Sequence, residues 1–152
     1  MKFAFLIIFL SATVVLYGQD STLNKYWINL TTQFKHRIQV ADKFGTFVLA
    51  SQAVDTTTVN HLRDMSLSLT RRLNEAIVPT KSSIDSIKVE NLMFIGALSK
   101  ILALLEDDRD VRLGNEFKNY QTSLMGAENR IAVAKSEFNE ACKKAKRDDL
   151  IY

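Results

Sequence analysis

The 152-residue chain contains few of the residues that break helices, bridge chains or bind metals: five Gly, one Pro, one Cys and two His. An all-β sandwich or barrel needs turn residues at intervals of about 8–12 residues, and this chain cannot supply them. The single cysteine, Cys142, cannot form an internal disulfide, so it is expected as a small apolar filler or as an intermolecular thiol. These scarcities favour a single all-α domain.

Residues that could carry out chemistry are also scarce. His36 and His61 lie on different predicted helices, and no cluster of His, Cys and carboxylates with metal-ligand spacing accompanies them. The sequence contains neither a nucleophile elbow nor a Gly-rich phosphate loop. The acidic run 106–110 lacks the alternating ligands and central Gly of an EF-hand, so we interpret it as a solvated connector. We therefore predict no catalytic residue, metal, cofactor or small-molecule substrate, and a protein that is not an enzyme.

Positive charge is only slightly in excess, with 20 basic and 17 acidic residues and a net charge of +3. A nucleic-acid-binding protein would concentrate Lys and Arg on one face, so no nucleic-acid partner is predicted. One local concentration of cations precedes the acidic pair 148–149: Lys143, Lys144, Lys146 and Arg147. Such a group is typical of a solvated helix end, where cations interact favourably with the helix dipole. Contact with anionic lipid headgroups is the alternative interpretation.

The one long apolar run spans residues 3–18, after Lys2 and before Asp20. It is slightly shorter than the about 17 residues that a membrane-spanning helix needs at minimum. Leu16 and Tyr17 disturb the small-residue pattern of a signal-peptide cleavage site. For residues 1–19, a cleaved signal peptide and a retained membrane anchor therefore both stay open. In both cases Lys2 keeps the N-terminus inside, so the remainder is predicted to be exported, either anchored to the membrane or secreted to the periplasm.

Residues 20–147 repeat apolar side chains at helical spacing. The clearest stripe alternates steps of four and three, as in a coiled-coil heptad, and predicts a long last helix: Leu113, Phe117, Tyr120, Leu124, Ala127, Ile131, Ala134, Phe138, Ala141 and Ala145. A similar stripe predicts a long first helix over about 21–53. Two shorter stripes lie between them, the first ending at Ile77 and the second including Leu92. Six apolar residues of the first, third and fourth helices are predicted to share one core: Phe34, Ile38, Leu98, Leu102, Leu124 and Ile131. Ser82 or Ser83 is predicted to cap the third helix.

These elements predict an elongated antiparallel four-helix bundle, up-down-up-down, with loops near 54–57, 79–83 and 107–112. The two outer helices are predicted to be longer than the middle pair and to extend as a two-helix stalk. Residues 148–152 are predicted to form a short tail after the bundle of residues 20–147.

The same arrangement predicts one polar pair between the first and last helices. If these helices are antiparallel neighbours, Arg37 and Arg130 share a level and Glu128 lies within about half a turn of it. A carboxylate there could accept bidentate hydrogen bonds. We therefore predict that Glu128 pairs with Arg37, or alternatively with His36, and that the pair fixes the register of the two helices.

The later part of the chain resembles a known family in four stretches: Gly96-Ala97-Leu98, Leu102-Ala103-Leu104, Glu128-Asn129-Arg130-Ile131-Ala132-Val133-Ala134 and Phe138-Asn139-Glu140-Ala141. This pattern resembles the LemA family, whose members are bacterial. The first helix is similar too, with Trp27, Gln33 and the basic patch Lys35-His36-Arg37. The resemblance implies a bundle of long antiparallel helices behind one N-terminal hydrophobic segment, and it implies no reaction.

The combined expectation is a non-enzymatic helical bundle at the cell envelope that acts as a scaffold or interaction module for unknown protein partners. One alternative is a peripheral protein that binds the membrane surface through the basic end of its last helix. A second alternative is a small-ligand carrier or an enzyme with a pocket between helices.

Overall fold

The computed structural model describes the backbone of residues 2–107 and 114–152, and the side chains of residues 21–106 and 114–152. Four α-helices are described: α1 over Lys2–Ser51, α2 over Thr56–Glu75, α3 over Lys81–Asp107 and α4 over Asn115–Lys144. A 3-10 turn over Asp148–Leu150 follows α4. These described ranges contain no strand, so the all-α prediction is confirmed.

Side-chain caps define the starts of α2 and α3. Asp55 accepts hydrogen bonds from the Thr58 N–H (2.9 Å) and the Thr58 hydroxyl (2.7 Å), as expected of an N-cap. At α3 the Ser83 N–H donates to the Thr80 hydroxyl (3.1 Å), and the Thr80 N–H donates to the Ser83 hydroxyl (3.0 Å). Thr80 is therefore the cap, and the predicted cap at Ser82 or Ser83 is wrong because Ser83 supplies the reciprocal bond of a capping box.

Helix α1 contacts α2 on one side and α4 on the other. The Trp27 Nε1–H donates to the carbonyl of Ala76 at the end of α2 (2.8 Å), and the Trp27 ring lies 5.2 Å from the Phe138 ring of α4. Further along α1, the Phe44 ring lies 5.6 Å from the Tyr120 ring. Residues later in α1 therefore contact residues earlier in α4.

Buried apolar side chains of all four helices form one core, which includes five of the six residues predicted to share it: Phe34, Ile38, Leu98, Leu124 and Ile131. The sixth, Leu102, is only half-buried at the edge of the core. Two predicted core positions are wrong. Ile77 is 77% exposed because α2 ends at Glu75, and Leu92 is 72% exposed because α3 turns its other face inward.

The two outer helices are longer than the middle pair, as predicted: α1 and α4 have 50 and 30 residues, whereas α2 and α3 have 20 and 27. The predicted two-helix stalk is nevertheless wrong. The α2–α3 connection reaches the end of α4, where Val78 and Pro79 line one hollow together with Ser21 and Arg147. Helix α1 continues back to Lys2, so its backbone includes both the predicted first helix and most of the hydrophobic segment 1–19.

Within residues 21–106 and 114–152, whose side chains the structure describes, no helix is both long and apolar enough to cross a membrane. The predicted signal or anchor, residues 1–19, lies outside these ranges.

Candidate functional site: the groove between α3 and α4

The packing of the four helices leaves one seam open. Helix α1 packs against α2 and α4, and α2 packs against α3, whereas α3 and α4 do not pack closely along their described residues. We call this gap the α3–α4 groove. It has a polar centre, an open cleft on one side of that centre, and a slot on the other side that the C-terminal residues of the chain fill.

The polar centre is built around the fully buried Arg37 of α1. Its Nη1 donates to Glu128 Oε1 of α4 across 2.7 Å, and its Nη2 donates to Asn91 Oδ1 of α3. The guanidinium carbon lies 5.3 Å from the centre of the Phe34 ring and 4.8 Å from that of Phe94. A buried cation is thus compensated by one carboxylate, one amide and two aromatic faces.

The structure brings together the two residues of the predicted interhelical pair, Glu128 and Arg37. His36, the alternative partner, is exposed on α1. Sequence reasoning missed Asn91, which ties α3 into the same cluster. Its only signal in the sequence is a polar residue on a largely apolar helix face, at helical spacing from Ile95 and Leu98.

The open side of the groove, which we call the upper cleft, has a volume of about 610 Å³ and is lined by Ile95, Leu98, Ser99, Leu102, Gln121, Leu124, Met125, Glu128 and Asn129. Met125 is 67% exposed at its edge. An open apolar surface with a polar rim is typical of a site that binds another molecule. The one ionisable group in this lining, Glu128, is already hydrogen-bonded to Arg37. The upper cleft is therefore suited to binding apolar groups rather than to transferring protons.

On the other side of the centre, the chain folds back after α4 through a tight turn. Lys146 adopts a left-handed conformation with φ of 57°. Its N–H donates to the Lys143 carbonyl (3.1 Å), and the Arg147 N–H donates to the Cys142 carbonyl (2.8 Å). This is the Schellman pattern, in which Gly usually occupies the left-handed position. The turn reverses the chain and buries Leu150.

The last two residues then lie in a second part of the groove, which we call the tail slot and define by Phe34, Lys88, Lys135 and Asn139. Asn139 binds the main chain of Tyr152 on both sides: its Oδ1 accepts from the Tyr152 N–H (2.8 Å), and its Nδ2 donates to the Tyr152 carbonyl (3.3 Å). Lys88 Nζ donates to the Ile151 carbonyl (3.0 Å). The segment predicted as a short tail is thus attached to both α3 and α4.

The ring of Tyr152 is enclosed by one aromatic ring and two cations. Its centre lies 5.5 Å from the centre of Phe34, 4.8 Å from Lys135 Nζ and 5.5 Å from Lys88 Nζ. Burial raises the pKa of the Tyr152 phenol to about 12, and the nearby Arg37 opposes this rise. The hydroxyl is buried and has no hydrogen-bond partner among the described residues. Sequence reasoning missed the whole slot, because Asn139 and Lys135 look like ordinary polar positions between core residues.

The four cations predicted as possible lipid contacts are all exposed near the end of α4: Lys143, Lys144, Lys146 and Arg147. Arg147 binds Asp149 through Nε (3.0 Å) and Nη2 (3.2 Å), and these hydrogen bonds lower the pKa of the Asp149 carboxyl. Lys144 lies 3.9 Å from Glu140. This end of α4 is beside Ser21, close to the hydrophobic N-terminal segment of α1.

The remaining candidate residues do not converge. Among the described residues, no three of His, Cys, Asp and Glu are placed to hold a metal ion. His61 is exposed on α2, and most of the acidic run 106–110 lies outside the described residues. Cys142 is buried, and this burial raises the pKa of its thiol to about 11.

Comparison with known proteins agrees with the sequence pattern. A family model described as the LemA family matches residues 26–148. No curated protein and no solved structure matches the chain. Because the family match covers most of the 152 residues, the chain belongs to the LemA family.

Proposed function

We propose that this chain is a non-enzymatic interaction module at the cell envelope that binds an apolar segment of a protein partner in the upper cleft. The observation that carries the proposal is the open α3–α4 seam, where an apolar cleft of about 610 Å³ ends at the Arg37–Glu128 pair. Pockets of about 300–1,000 Å³ that are mostly apolar, with a few polar groups, are typical binding sites. Apolar side chains of a partner would cover surface that the bundle itself leaves exposed.

The proposed architecture is an up-down-up-down bundle that is incomplete along one seam. It is supported by the reversed order of contacts between α1 and α4, at Trp27–Phe138 and Phe44–Tyr120. Four antiparallel helices joined by short connections commonly close into a bundle in which each helix packs on two neighbours. A partner segment in the upper cleft would supply the contacts that α3 and α4 do not make with each other.

We further propose that residues 1–19 hold this module at the membrane, or direct its export if they are removed. Lys2 before the apolar run 3–18 supports this orientation. From Ser21 to the level of Arg37, α1 rises roughly 25 Å. The upper cleft would then lie beyond this level, on the side of the bundle that faces away from the membrane.

A site-specific crosslinking experiment in cells tests the upper cleft. A photoreactive amino acid is placed at position 99, where Ser99 lines the cleft, and in a matched variant at position 60, where Asn60 is exposed on α2. We expect one discrete crosslinked partner from position 99 only, and we expect Met125→Glu to abolish it by placing a charge at the edge of the apolar surface. Identical products from both positions, or products that persist with Met125→Glu, would contradict the proposal.

A second candidate function, binding to the membrane surface, is favoured by one specific observation. The exposed Lys143, Lys144 and Lys146 lie at the end of α4 that is beside Ser21, so they would face the same membrane as the hydrophobic segment. Each such cation near an anionic surface contributes about 1 kcal/mol at most.

A further inference from the structure

We propose that the tail slot is a recognition site for an extended peptide segment with an aliphatic residue followed by an aromatic one, and that the chain's own Ile151 and Tyr152 occupy it in cis. The ligand is a segment of a protein partner, and the C-terminal residues act as its internal competitor. This inference does not depend on the upper cleft, because the two sites share no lining residue.

The polar contacts in the slot are directed at main-chain atoms. Asn139 donates to the carbonyl and accepts from the N–H of Tyr152, and Lys88 donates to the carbonyl of Ile151. One amide side chain thus pairs with both main-chain groups of a single residue, as a neighbouring strand does in an antiparallel sheet. Main-chain hydrogen bonds are available to any extended segment, and proteins that bind peptides by strand addition use them in the same way.

The selectivity of the tail slot for an aromatic residue comes from the position that the Tyr152 ring occupies. The ring of Tyr152 contacts Phe34 and lies within 5.5 Å of the ammonium groups of Lys88 and Lys135. A ring between two cations and another ring gains cation–π and aromatic contacts that an aliphatic side chain cannot make. The slot therefore binds an aromatic residue at this position in preference to an aliphatic one.

The chain's own tail is an imperfect ligand for this slot. The Tyr152 hydroxyl is buried with no hydrogen-bond partner among the described residues, so a Phe ring would avoid an unsatisfied polar group. The turn that delivers the tail has Lys146 at φ of 57°, a conformation that residues other than Gly adopt at a cost. A partner segment has neither defect, although it must compete with a tail tethered only a few residues from the end of α4.

Binding of short peptides to the full-length chain tests the inference. The probes are N-terminally labelled, C-terminally amidated hexapeptides with the sequence of residues 147–152, ending in Tyr, Phe or Ala. Fluorescence polarisation compares the wild-type chain with Tyr152→Ala, which empties the ring position. We expect the Tyr-ended peptide to bind Tyr152→Ala at least about tenfold more tightly than wild type, since the tethered tail acts at millimolar effective concentration. The Phe-ended peptide should bind more tightly than the Tyr-ended one, and the Ala-ended one should not bind.

Matched double variants separate recognition from general damage to the fold. Tyr152→Ala combined with Asn139→Ala removes the main-chain contacts and should lose the peptide, whereas Tyr152→Ala combined with Asn119→Ala, on an exposed position of the same helix outside both sites, should keep it. Circular dichroism checks that both remain helical.

Three outcomes would overturn the inference. The first is failure of every peptide to bind Tyr152→Ala, and the second is binding of the Ala-ended peptide as tight as that of the Tyr-ended one. The third is binding of the Tyr-ended peptide to wild type and Tyr152→Ala with equal affinity. Crosslinking from position 99 reports on the upper cleft alone, so the two proposals fail separately.

Discussion

Arg37 and Glu128 are joined by a 2.7 Å hydrogen bond between Nη1 and Oε1, although 91 residues separate them and their environments differ. The side chain of Arg37 is 1% exposed, whereas that of Glu128 is 47% exposed. The protein therefore buries the cation fully and leaves its counter-charge at the surface. The buried guanidinium therefore depends on hydrogen-bond partners that reach it from α3 and α4.

Replacing Glu128 with Ala should destabilise the fold by about 1–3 kcal/mol, because it leaves a buried guanidinium without its carboxylate. The double variant Arg37→Met with Glu128→Ala should recover part of this loss, since the buried charge is then gone. Urea denaturation measures both effects. Glu140→Ala is the control, because its exposed contact with Lys144 contributes about 0–1 kcal/mol. A loss for Glu128→Ala no larger than for this control would contradict the prediction.

Truncation of the residues predicted to share the core should follow their observed burial. Leu124 is buried, whereas Leu102 is only half-buried. We expect Leu124→Ala to reduce the free energy of unfolding by about 2–5 kcal/mol, as for other buried leucines, and Leu102→Ala to reduce it by less. Denaturant midpoints of the two variants decide the order. An equal loss would mean that the α3–α4 seam is closed in solution.

Glycine at the left-handed turn after α4 should stabilise the protein, although glycine usually weakens helices. Lys146→Gly removes the side-chain penalty at φ of 57°, and we expect a gain of about 0.5–1 kcal/mol. Lys143→Gly removes the same charge from the last turn of α4 and should cost about 0.5–1 kcal/mol. The difference in melting temperature between these two variants tests the turn, and a loss in both would contradict the Schellman geometry.

The burial of the Tyr152 side chain in the tail slot should depend on pH only under alkaline conditions. Burial raises the pKa of its phenol from the model-peptide value of 10.0 to about 12, so the folded protein retains this proton more tightly than the unfolded chain. The contribution of the buried neutral phenol to the free energy of unfolding is therefore fully present below pH 10 and declines as the pH rises from about 10 to 12. Absorbance titration at alkaline pH should show one late phenol step that Tyr152→Phe removes. A titration without any late step would show that the ring is not buried.

Membrane-surface binding should depend on salt if the basic end of α4 carries it. The fragment of residues 20–152 should float with anionic liposomes at low salt and lose this binding at high salt, since each cation contributes about 1 kcal/mol at most. Replacing Lys143, Lys144 and Lys146 with Gln should reduce binding more than replacing Arg147, which already binds Asp149. Flotation that is insensitive to both salt and the Gln variants would exclude a lipid role for these residues.

The sequence by itself determined the all-α class, the core stripes of α1 and α4 and the likeness to the LemA family. Helical periodicity is a local property, because residues three and four apart share one face whatever that face contacts. The level of the Arg37–Glu128 pair could be derived as well, since two adjacent antiparallel helices of known length have few possible registers.

Only the tertiary structure decided how the remaining faces were used. A stripe predicts that a face is buried but not which helix covers it, so the open seam between α3 and α4 could not be derived from local spacing. The same reason explains why Leu92 lies on a predicted inner stripe and is nevertheless exposed. The tail slot depends on a chain reversal at Lys146, where the usual Gly signal is absent, and on long-range contacts that place Tyr152 beside Asn139. Such contacts join residues that have no fixed spacing in the sequence, so they exist only once the helices have packed.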